Sequence, residues 1–265
     1  MNPHDLLGGF VTGSAGGLFS GFLGVTSGGV LVPLLVLLLG KDQHVAQGIS
    51  LVAQIFPTSL SGVRNYSKSG HRISVRWLVW LSAGFCVGGG IGAILATRVA
   101  DHALQWCFVA YLLLLVGLMV LRPPKPKLDS TAEGSPDAAE DVPLHWGSLC
   151  AVGAAAGWSS GFLGIGGGLA ITALMSVFMK LSQHRAQAMS LAVTALPVTI
   201  PAAVLYVQQG TELPWLTIVA LIIGLWIGTD IGARFATRVT PGKLRIMLIL
   251  IITAMALFMA YKAWS

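Results

Sequence analysis

The sequence predicts an all-α, polytopic integral membrane protein made of two inverted-topology repeats, each with about five helical elements, some of them short, broken or re-entrant. Three observations predict this class. Of the 265 residues, 55% are hydrophobic and only 10% are charged, whereas a soluble domain carries about 25% charged residues. Apolar runs that suit membrane helices recur along almost the whole chain. The same motifs also appear twice, at a constant spacing.

This composition excludes several classes of protein. So few charged residues argue against a soluble enzyme, a disordered chain and a nucleic-acid-binding domain, although the net charge is +6. In a membrane protein, excess Lys and Arg mainly mark cytoplasmic loops. The three cysteines (Cys86, Cys107 and Cys150) form no CxxC motif and lie in or beside apolar runs, so we expect inert thiols. The expected partner is the lipid bilayer, with no nucleic acid.

An internal repeat with an offset of 140 positions runs through the chain, since residues 21–24 and 161–164 both read GFLG. The repeat also matches polar residues that composition alone would not place in register: Gln47, Ser50, Pro57 and Arg98 with Gln187, Ser190, Pro197 and Arg238. We therefore predict a first transmembrane repeat at 5–122 and a second at 146–262. Residues 123–145, rich in Pro, Ser and charge, predict a flexible linker.

Each repeat offers about five apolar elements. In the first repeat they are expected near 6–24, 28–40, 44–63, 75–97 and 103–121. In the second they are expected near 146–163, 167–180, 185–207, 214–233 and 244–262. Because five is an odd number, the second repeat must enter the membrane in the opposite orientation.

The distribution of basic residues agrees with this inversion. The loop after the third element of the first repeat holds Arg64, Lys68, Arg72 and Arg76. Its counterpart, at 208–214, holds no basic residue, and the next pair of loops reverses the bias. Basic residues favour the cytoplasmic side, so we predict that both termini lie outside and that the linker is cytoplasmic. Inverted repeats are typical of secondary transporters.

A glycine-rich motif precedes the second element of each repeat, around Gly24 and Gly28 and around Gly164 and Gly168. The element that follows has about 13 residues, or ~20 Å of helix, and does not cover a ~30 Å hydrocarbon core. Short, interrupted segments at the same place in both repeats indicate a transport site, where free N–H groups at helix N-termini bind an anion. The alternative is close helix packing through small residues.

A polar stripe follows one face of the third element. Its candidate substrate-binding residues are Gln47, Ser50 and Gln54 in the first repeat and Gln187, Ser190 and Thr194 in the second. Neutral amides and hydroxyls can coordinate an oxyanion and leave its charge to helix dipoles. The alternative is interhelical hydrogen bonding. Pro57 and Pro197 are expected to kink these helices.

Five ionisable residues complete the candidate set. His44 and His184 begin the third elements, and Arg98 and Arg238 end the fourth. They are candidates for gating or for attracting an anion at each mouth, with interfacial anchoring as the alternative. Asp230 is the one acid inside an apolar run, and a local pair with Arg234, four residues on, competes with a role in proton coupling. The sequence shows no metal-binding or nucleophilic motif, so we expect no metal, cofactor or enzymatic activity.

The paired glycine motifs GFLGxxxGG and GFLGxGGG, each followed by an xAQxxSLxxxxxP helix, resemble the sulfite exporter TauE/SafE family, also called the 4-toluene sulfonate uptake permease family. The resemblance implies a carrier in a bacterial-type inner membrane that moves small sulfur oxyanions such as sulfite, sulfoacetate or other organosulfonates. It supports the glycines, Gln47, Ser50, Gln187, Ser190 and both prolines as family positions. Pro33 fits the family pattern in the short segment, but its counterpart is Ala173.

We therefore expect an exporter of small anions that works by alternating access between the two repeats. An anion channel, a transporter of another small organic anion and a membrane scaffold without transport remain the alternatives. Counterflow separates a carrier from a channel, and substitution of Gln47 and Gln187 tests the scaffold. A homodimer is compatible with the sequence.

Overall fold

The described part of the chain is all-helical, which confirms the all-α part of the prediction. A computed structural model describes residues 3–23, 27–57, 63, 74–121, 145–179, 181, 183–208, 213–236 and 241–264. Within these ranges there are eleven helices and no strand. In the first half they are α1 (Pro3–Leu23), α2 (Gly28–Leu38), α3 (Gln43–Ala53), α4 (Val75–Ala96) and α5 (Asp101–Leu121). In the second half they are α6 (Trp146–Leu163), α7 (Gly168–Phe178), α8 (Gln183–Ala195), α9 (Ile200–Gln208), α10 (Trp215–Ala236) and α11 (Pro241–Trp264). Nearly all of the predicted linker lies outside the described residues.

Two of these helices are long and apolar enough to cross a membrane on their own. They are α4 and the Trp215–Gly232 part of α10. A third span is possible if Ala188–Ala195 and Ile200–Gln208 count together, although a 47° bend separates them. These spans agree with the predicted polytopic membrane class.

The second helix of each half is short. Both α2 and α7 have 11 residues, so each is about 16 Å long at 1.5 Å per residue. This is about half the thickness of a hydrocarbon core of ~30 Å. The two helices begin at Gly28 and Gly168, directly after the glycine-rich motifs.

The third element of the second half, predicted as one kinked helix over 185–207, is two helices. The chain leaves the helix after Ala195, turns through residues 196–199 and resumes at Ile200. Pro197 lies in this break, and proline removes a backbone donor and disfavours helix at the residue before it. In the first half, α3 ends at Ala53, before Pro57, and residues 58–62 of the element predicted at 44–63 lie outside the described residues.

The first helix of each half packs against the helix that forms the fourth predicted element of the other half, α1 against α10 and α6 against α4. A Cβ added at Gly13 would collide with the carbonyl oxygen of Leu221, and a Cβ added at Gly153 would collide with that of Leu81. The two contacts are equivalent, because Gly13 corresponds to Gly153 and Leu81 to Leu221 at the offset of 140 positions. Glycine is required at both because the helix backbones touch, as is common in membrane helix packing.

The short helices α2 and α3 lie in the interior of the bundle. They pack against each other, and α1, α5, α9, α10 and α11 surround them. Leu31, Leu35, Ile49 and Leu51 are completely buried there. The candidate site described next lies at the end of α3 and the beginning of α2.

Candidate functional site

The loop at Gly164–Gly167 joins α6 to α7 and forms one wall of the candidate site. Gly164, Gly166 and Gly167 have φ angles of +70°, +84° and +64°. This left-handed conformation is costly for any residue with a Cβ. Gly164 ends α6 and donates its N–H to the carbonyl of Ser160 at 2.7 Å. The glycine-rich motif is therefore required by the backbone of this loop. The corresponding residue of the first half, Gly24, lies outside the described residues.

Helix α3 of the first half covers this loop with polar side chains. Ser50 Oγ donates a hydrogen bond to the carbonyl oxygen of Gly164 at 2.8 Å. Gln54 Nε2 donates to Ser50 Oγ at 2.8 Å and lies 3.4 Å from the same carbonyl of Gly164. Both side chains are buried. The two halves of the chain are thus joined by hydrogen bonds at this point.

Gln54 also brings the beginning of α2 into the site. A Cβ added at Gly28 would lie 2.7 Å from Gln54 Nε2, and a Cβ added at Gly166 would overlap the Gln54 carboxamide. Gly28 is the first residue of α2, where backbone N–H groups lack intrahelical partners. One glutamine therefore contacts both the N-terminus of α2 and the loop that leads into α7.

Gln47, one turn earlier on α3, makes a second contact between the halves. Its side chain packs on Gly164, where an added Cβ would lie 2.9 Å from Gln47 Cγ. The hydroxyl of Tyr206, on α9, donates to Gln47 Oε1 at 2.7 Å and lies 3.3 Å from the carbonyl of Gly161. Gln47 and Tyr206 are both completely buried.

Several polar atoms beside this loop have no hydrogen-bond partner among the described residues. They are Gln47 Nε2, the hydroxyl of Ser160, which lies one turn before Gly164, and the hydroxyl of Ser27, which immediately precedes α2. Buried polar groups are nearly always paired in native proteins. These three groups therefore retain hydrogen-bonding capacity that no described residue satisfies.

The second half presents its polar side chains differently. Ser190 Oγ donates to the carbonyl of Gly168 at 2.7 Å, and Thr172 Oγ1 donates to the same oxygen at 2.9 Å. Thr194 Oγ1 donates to the carbonyl of Ser190, on its own helix, at 3.0 Å. Gln187 lies on α8, but its side chain is outside the described residues. Ser190 thus lies beside the first residue of α7.

The break between α8 and α9 lies against α4. The thiol of Cys86 lies 3.6 Å from the carbonyl of Val198, to which it donates. The hydroxyl of Thr199 is buried and has no partner among the described residues. The helix break at Pro197 therefore places polar backbone and side-chain groups that lie outside a regular helix in the interior of the bundle.

His44 is held by hydrogen bonds at the beginning of α3. Its Nδ1 lies 2.6 Å from Asp101 Oδ1, and its Nε2 lies 3.0 Å from the carbonyl oxygen of Ala96. Its backbone N–H also donates to Asp101 Oδ1, at 3.1 Å. Both ring nitrogens thus face acceptors, and the ring is held between the Asp101 side chain and the backbone at the end of α4.

The remaining predicted residues lie away from the loop or outside the description. Arg98 is exposed in the turn after α4. The side chain of His184 and the whole of Arg238 are outside the described residues. Asp230 and Arg234 form an exposed ion pair of 2.7 Å, as the spacing of four residues predicts. Among the described residues, no group of three or more His, Cys, Asp or Glu side chains could hold a metal ion.

Three contacts of this region were not foreseen from the sequence. Tyr206 could have been found, because Tyr66 matches it in the internal repeat and both are polar residues in an apolar context. Asp101 carries no such signal, since it lies 57 residues from His44 and proline stands at its repeat position. Lys262 Nζ donates to the carbonyl of Val36, near the end of α2, at 3.0 Å. Only the fold brings these last two pairs together.

Comparisons with known proteins give related sequences over almost the whole chain. The family model described as "Sulfite exporter TauE/SafE" matches residues 8–259. The "Probable membrane transporter protein YdhB" of Bacillus subtilis (strain 168) is 26% identical over 230 residues, which cover 85% of this chain and 87% of that protein. A "Probable membrane transporter protein" of Xylella fastidiosa (strain 9a5c) is 27% identical over 265 residues, 96% of each chain. No solved structure shows a significant match to the chain.

Proposed function

Because the chain belongs to the sulfite exporter TauE/SafE family of membrane transporters, we propose that it is a secondary transporter that exports small sulfur-containing anions. Sulfite, sulfoacetate and other organosulfonates are the proposed substrates. The substrate binds between the halves, where α3 meets the Gly164–Gly167 loop.

The observation that carries this proposal is the convergence of uncharged hydrogen-bonding groups at the beginnings of two short helices. Gln47, Ser50 and Gln54 come from the first half, and the loop that leads into α7 comes from the second. Helix N-termini favour negative charge through their dipoles and free N–H groups. Amide and hydroxyl donors can replace the water around an oxyanion without neutralising it. Such a site holds an anion and still releases it.

Alternating access is the proposed mechanism, and the symmetry of the two halves supports it. The first helix of each half packs along the fourth element of the other half, α1 on α10 and α6 on α4, at glycines that match in the repeat. We propose that the halves have inverted topology, with both termini outside and the linker in the cytoplasm of a bacterial-type inner membrane. Rocking of one half against the other would break the bonds from Ser50 and Gln54 to Gly164 and open the site to one side at a time.

The membrane potential supplies a driving force for export. Moving one elementary charge across 100 mV is worth ~2.3 kcal/mol, so expelling a dianion down an inside-negative potential of that size releases ~4.6 kcal/mol. Export of sulfite then requires no covalent energy source.

Counterflow in proteoliposomes tests the function. Vesicles that contain the protein and unlabelled sulfite are diluted into radiolabelled sulfite, and a carrier then accumulates label transiently. We expect Gln47→Ala to reduce this accumulation strongly, whereas Gln208→Ala, at the exposed end of α9, serves as the matched control. Passive equilibration without counterflow would indicate a channel. Failure of every sulfur oxyanion and small carboxylate to move would contradict the proposal.

Impermeant thiol labelling tests the inverted topology separately. Ser74 and Pro214 precede α4 and α10 at equivalent positions of the repeat. In a background without native cysteines, we expect Ser74→Cys to be labelled only from the cytoplasmic side and Pro214→Cys only from outside. Labelling of both from the same side would overturn the inverted arrangement.

A further inference from the structure

We propose that Tyr206 is a positioning residue that gives the site its preference for anions, because its hydroxyl occupies the acceptor end of Gln47 and leaves only the donor end for a ligand. This inference rests on the proposed function, because it assumes that a substrate binds beside Gln47. Beyond that function, it assigns to Tyr206 the choice of which chemical groups can bind at the site.

Tyr206 is well placed for this role. Its side chain is completely buried, and it packs beside α3, where a Cβ added at Gly48 would lie 3.6 Å from Tyr206 Cβ. The hydroxyl has one proton and two acceptors in reach, and the shorter contact is the one to Gln47 Oε1, 2.7 Å against 3.3 Å to the carbonyl of Gly161. The second half therefore determines how the Gln47 carboxamide is oriented.

This orientation leaves a single kind of group available. With its oxygen bonded to Tyr206, the Gln47 carboxamide presents Nε2, which is buried and has no partner among the described residues. An amide NH₂ donates hydrogen bonds and cannot accept them. A ligand that satisfies it must offer an acceptor, and a ligand that offers only N–H groups or a positive charge leaves it unpaired.

The donor lies at the centre of the proposed site. The Gln47 side chain packs on Gly164, and the carbonyl of Gly164 accepts hydrogen bonds from Ser50, one turn further along α3. Gln54, on the next turn, contacts Gly28 at the N-terminus of α2. A sulfonate or sulfite oxygen at Gln47 Nε2 would thus lie beside the loop that leads into α7, about two helical turns along α3 from the contact between Gln54 and Gly28.

The test compares two probes of nearly equal shape and different hydrogen-bonding character. Methanesulfonate is an anion with three acceptor oxygens, and methanesulfonamide is neutral and replaces one oxygen with a donor NH₂. Dissociation constants are measured by calorimetry on the full-length protein in detergent, for the native chain and for Tyr206→Phe. Tyr261→Phe, whose ring is exposed near the C-terminus, is the matched control.

We expect the native protein and Tyr261→Phe to bind methanesulfonate in clear preference to methanesulfonamide. In Tyr206→Phe the carboxamide of Gln47 is free to turn, so methanesulfonate should bind at least about tenfold more weakly, and the ratio of the two constants should fall. A purely structural role would lower the melting temperature or weaken both probes together, without changing the ratio. An unchanged ratio in Tyr206→Phe would overturn the inference while leaving the proposed function standing.

A second variant gives an answer even if Tyr206→Phe does not fold. In Gln47→Glu the carboxylate still accepts the Tyr206 hydroxyl but offers no N–H group, so we expect methanesulfonate binding to be lost. Retained binding would overturn the inference. A native site that prefers methanesulfonamide would also overturn it, since Gln47 would then present its oxygen. If the native protein binds none of the sulfur oxyanions, the proposed function itself fails.

Discussion

Helices α3 and α8 occupy the same position in the two repeats, yet their polar side chains have different partners. On α3, Ser50 and Gln54 bond to Gly164, in the other half. On α8, Ser190 bonds to Gly168 of its own half, and Thr194, which matches Gln54, bonds to the backbone of its own helix. Identical serines at 50 and 190 therefore have partners in different halves. The longer side chain of Gln54 keeps a bond to the backbone of its own helix and also reaches the carbonyl of Gly164.

The ends of the two helices differ as well. Asp101 holds the beginning of α3 through hydrogen bonds to the ring and the backbone of His44, whereas the second half has Pro241 at the position that corresponds to Asp101. The loop at Gly164–Gly167 has three left-handed glycines, while threonine and serine stand at 26 and 27 in the first half. The sequence duplication therefore does not imply two equal sites.

The largest effect on stability is expected from adding a side chain in the Gly164–Gly167 loop. Gly166→Ala places a Cβ at a φ of +84°, against the carboxamide of Gln54. We expect the free energy of unfolding to fall by at least about 2 kcal/mol, from the backbone conformation and the overlap together. Thermal unfolding in detergent measures this. The control is Gly90→Ala on α4, where a Cβ would meet nothing within 4 Å, and an equal loss in both variants would contradict the account of the loop.

Making α3 resemble α8 should weaken transport. Gln54→Thr shortens the side chain and removes its amide from the site. We expect the loss of one hydrogen bond to the anion to raise the KM for sulfite counterflow by about tenfold. The matching change on α8, Thr194→Ala, removes a bond within one helix and should raise KM by about twofold or less. Equal changes in KM would show that the two helices contribute alike.

The pair of His44 and Asp101 at the beginning of α3 should contribute moderately to stability. We expect Asp101→Asn to lower the free energy of unfolding by about 1 kcal/mol, because it weakens both the pair and the hydrogen bond to the backbone of α3. A double-mutant cycle with His44→Gln isolates the pair, and we expect a coupling energy of about 0.5–1 kcal/mol. A coupling energy of zero would show that the pair does not stabilise the fold.

The smallest effect is expected at Asp230, which matches Gly90 in the first repeat. Its ion pair with Arg234 is exposed, with 55% and 77% of the two side chains accessible. We expect Asp230→Asn to change the free energy of unfolding by less than about 0.5 kcal/mol and to leave counterflow rates intact. Loss of counterflow, or of its dependence on a proton gradient, would instead assign Asp230 to proton coupling.

The sequence predicted the features that depend on local chemistry. It placed short helices after the glycine motifs because glycine-rich segments interrupt helices, and it grouped Gln47, Ser50 and Gln54 because their spacing keeps them on one helical face. It also anticipated the pair between Asp230 and Arg234, since that contact lies within one helical turn.

Features that depend on the packing of distant segments were not predicted. Nothing local shows that the Gly164 carbonyl lies at Ser50, 114 residues away, or that Tyr206 orients Gln47, 159 residues away. The element predicted over 185–207 also appeared continuous, because one proline kinks a helix in some contexts and ends it in others. Here the turn at 196–199 separates α8 from α9.

Direct binding of radiolabelled sulfite to the purified protein tests the central claim, that an anion binds where α3 meets the Gly164–Gly167 loop. The account predicts saturable binding to the native protein. It also predicts loss of that binding in the double variant Gln47→Ala and Gln54→Ala, with no loss in a control that changes Gln105 and Gln208 to Ala. Undiminished binding by a folded Gln47→Ala and Gln54→Ala variant would contradict the claim.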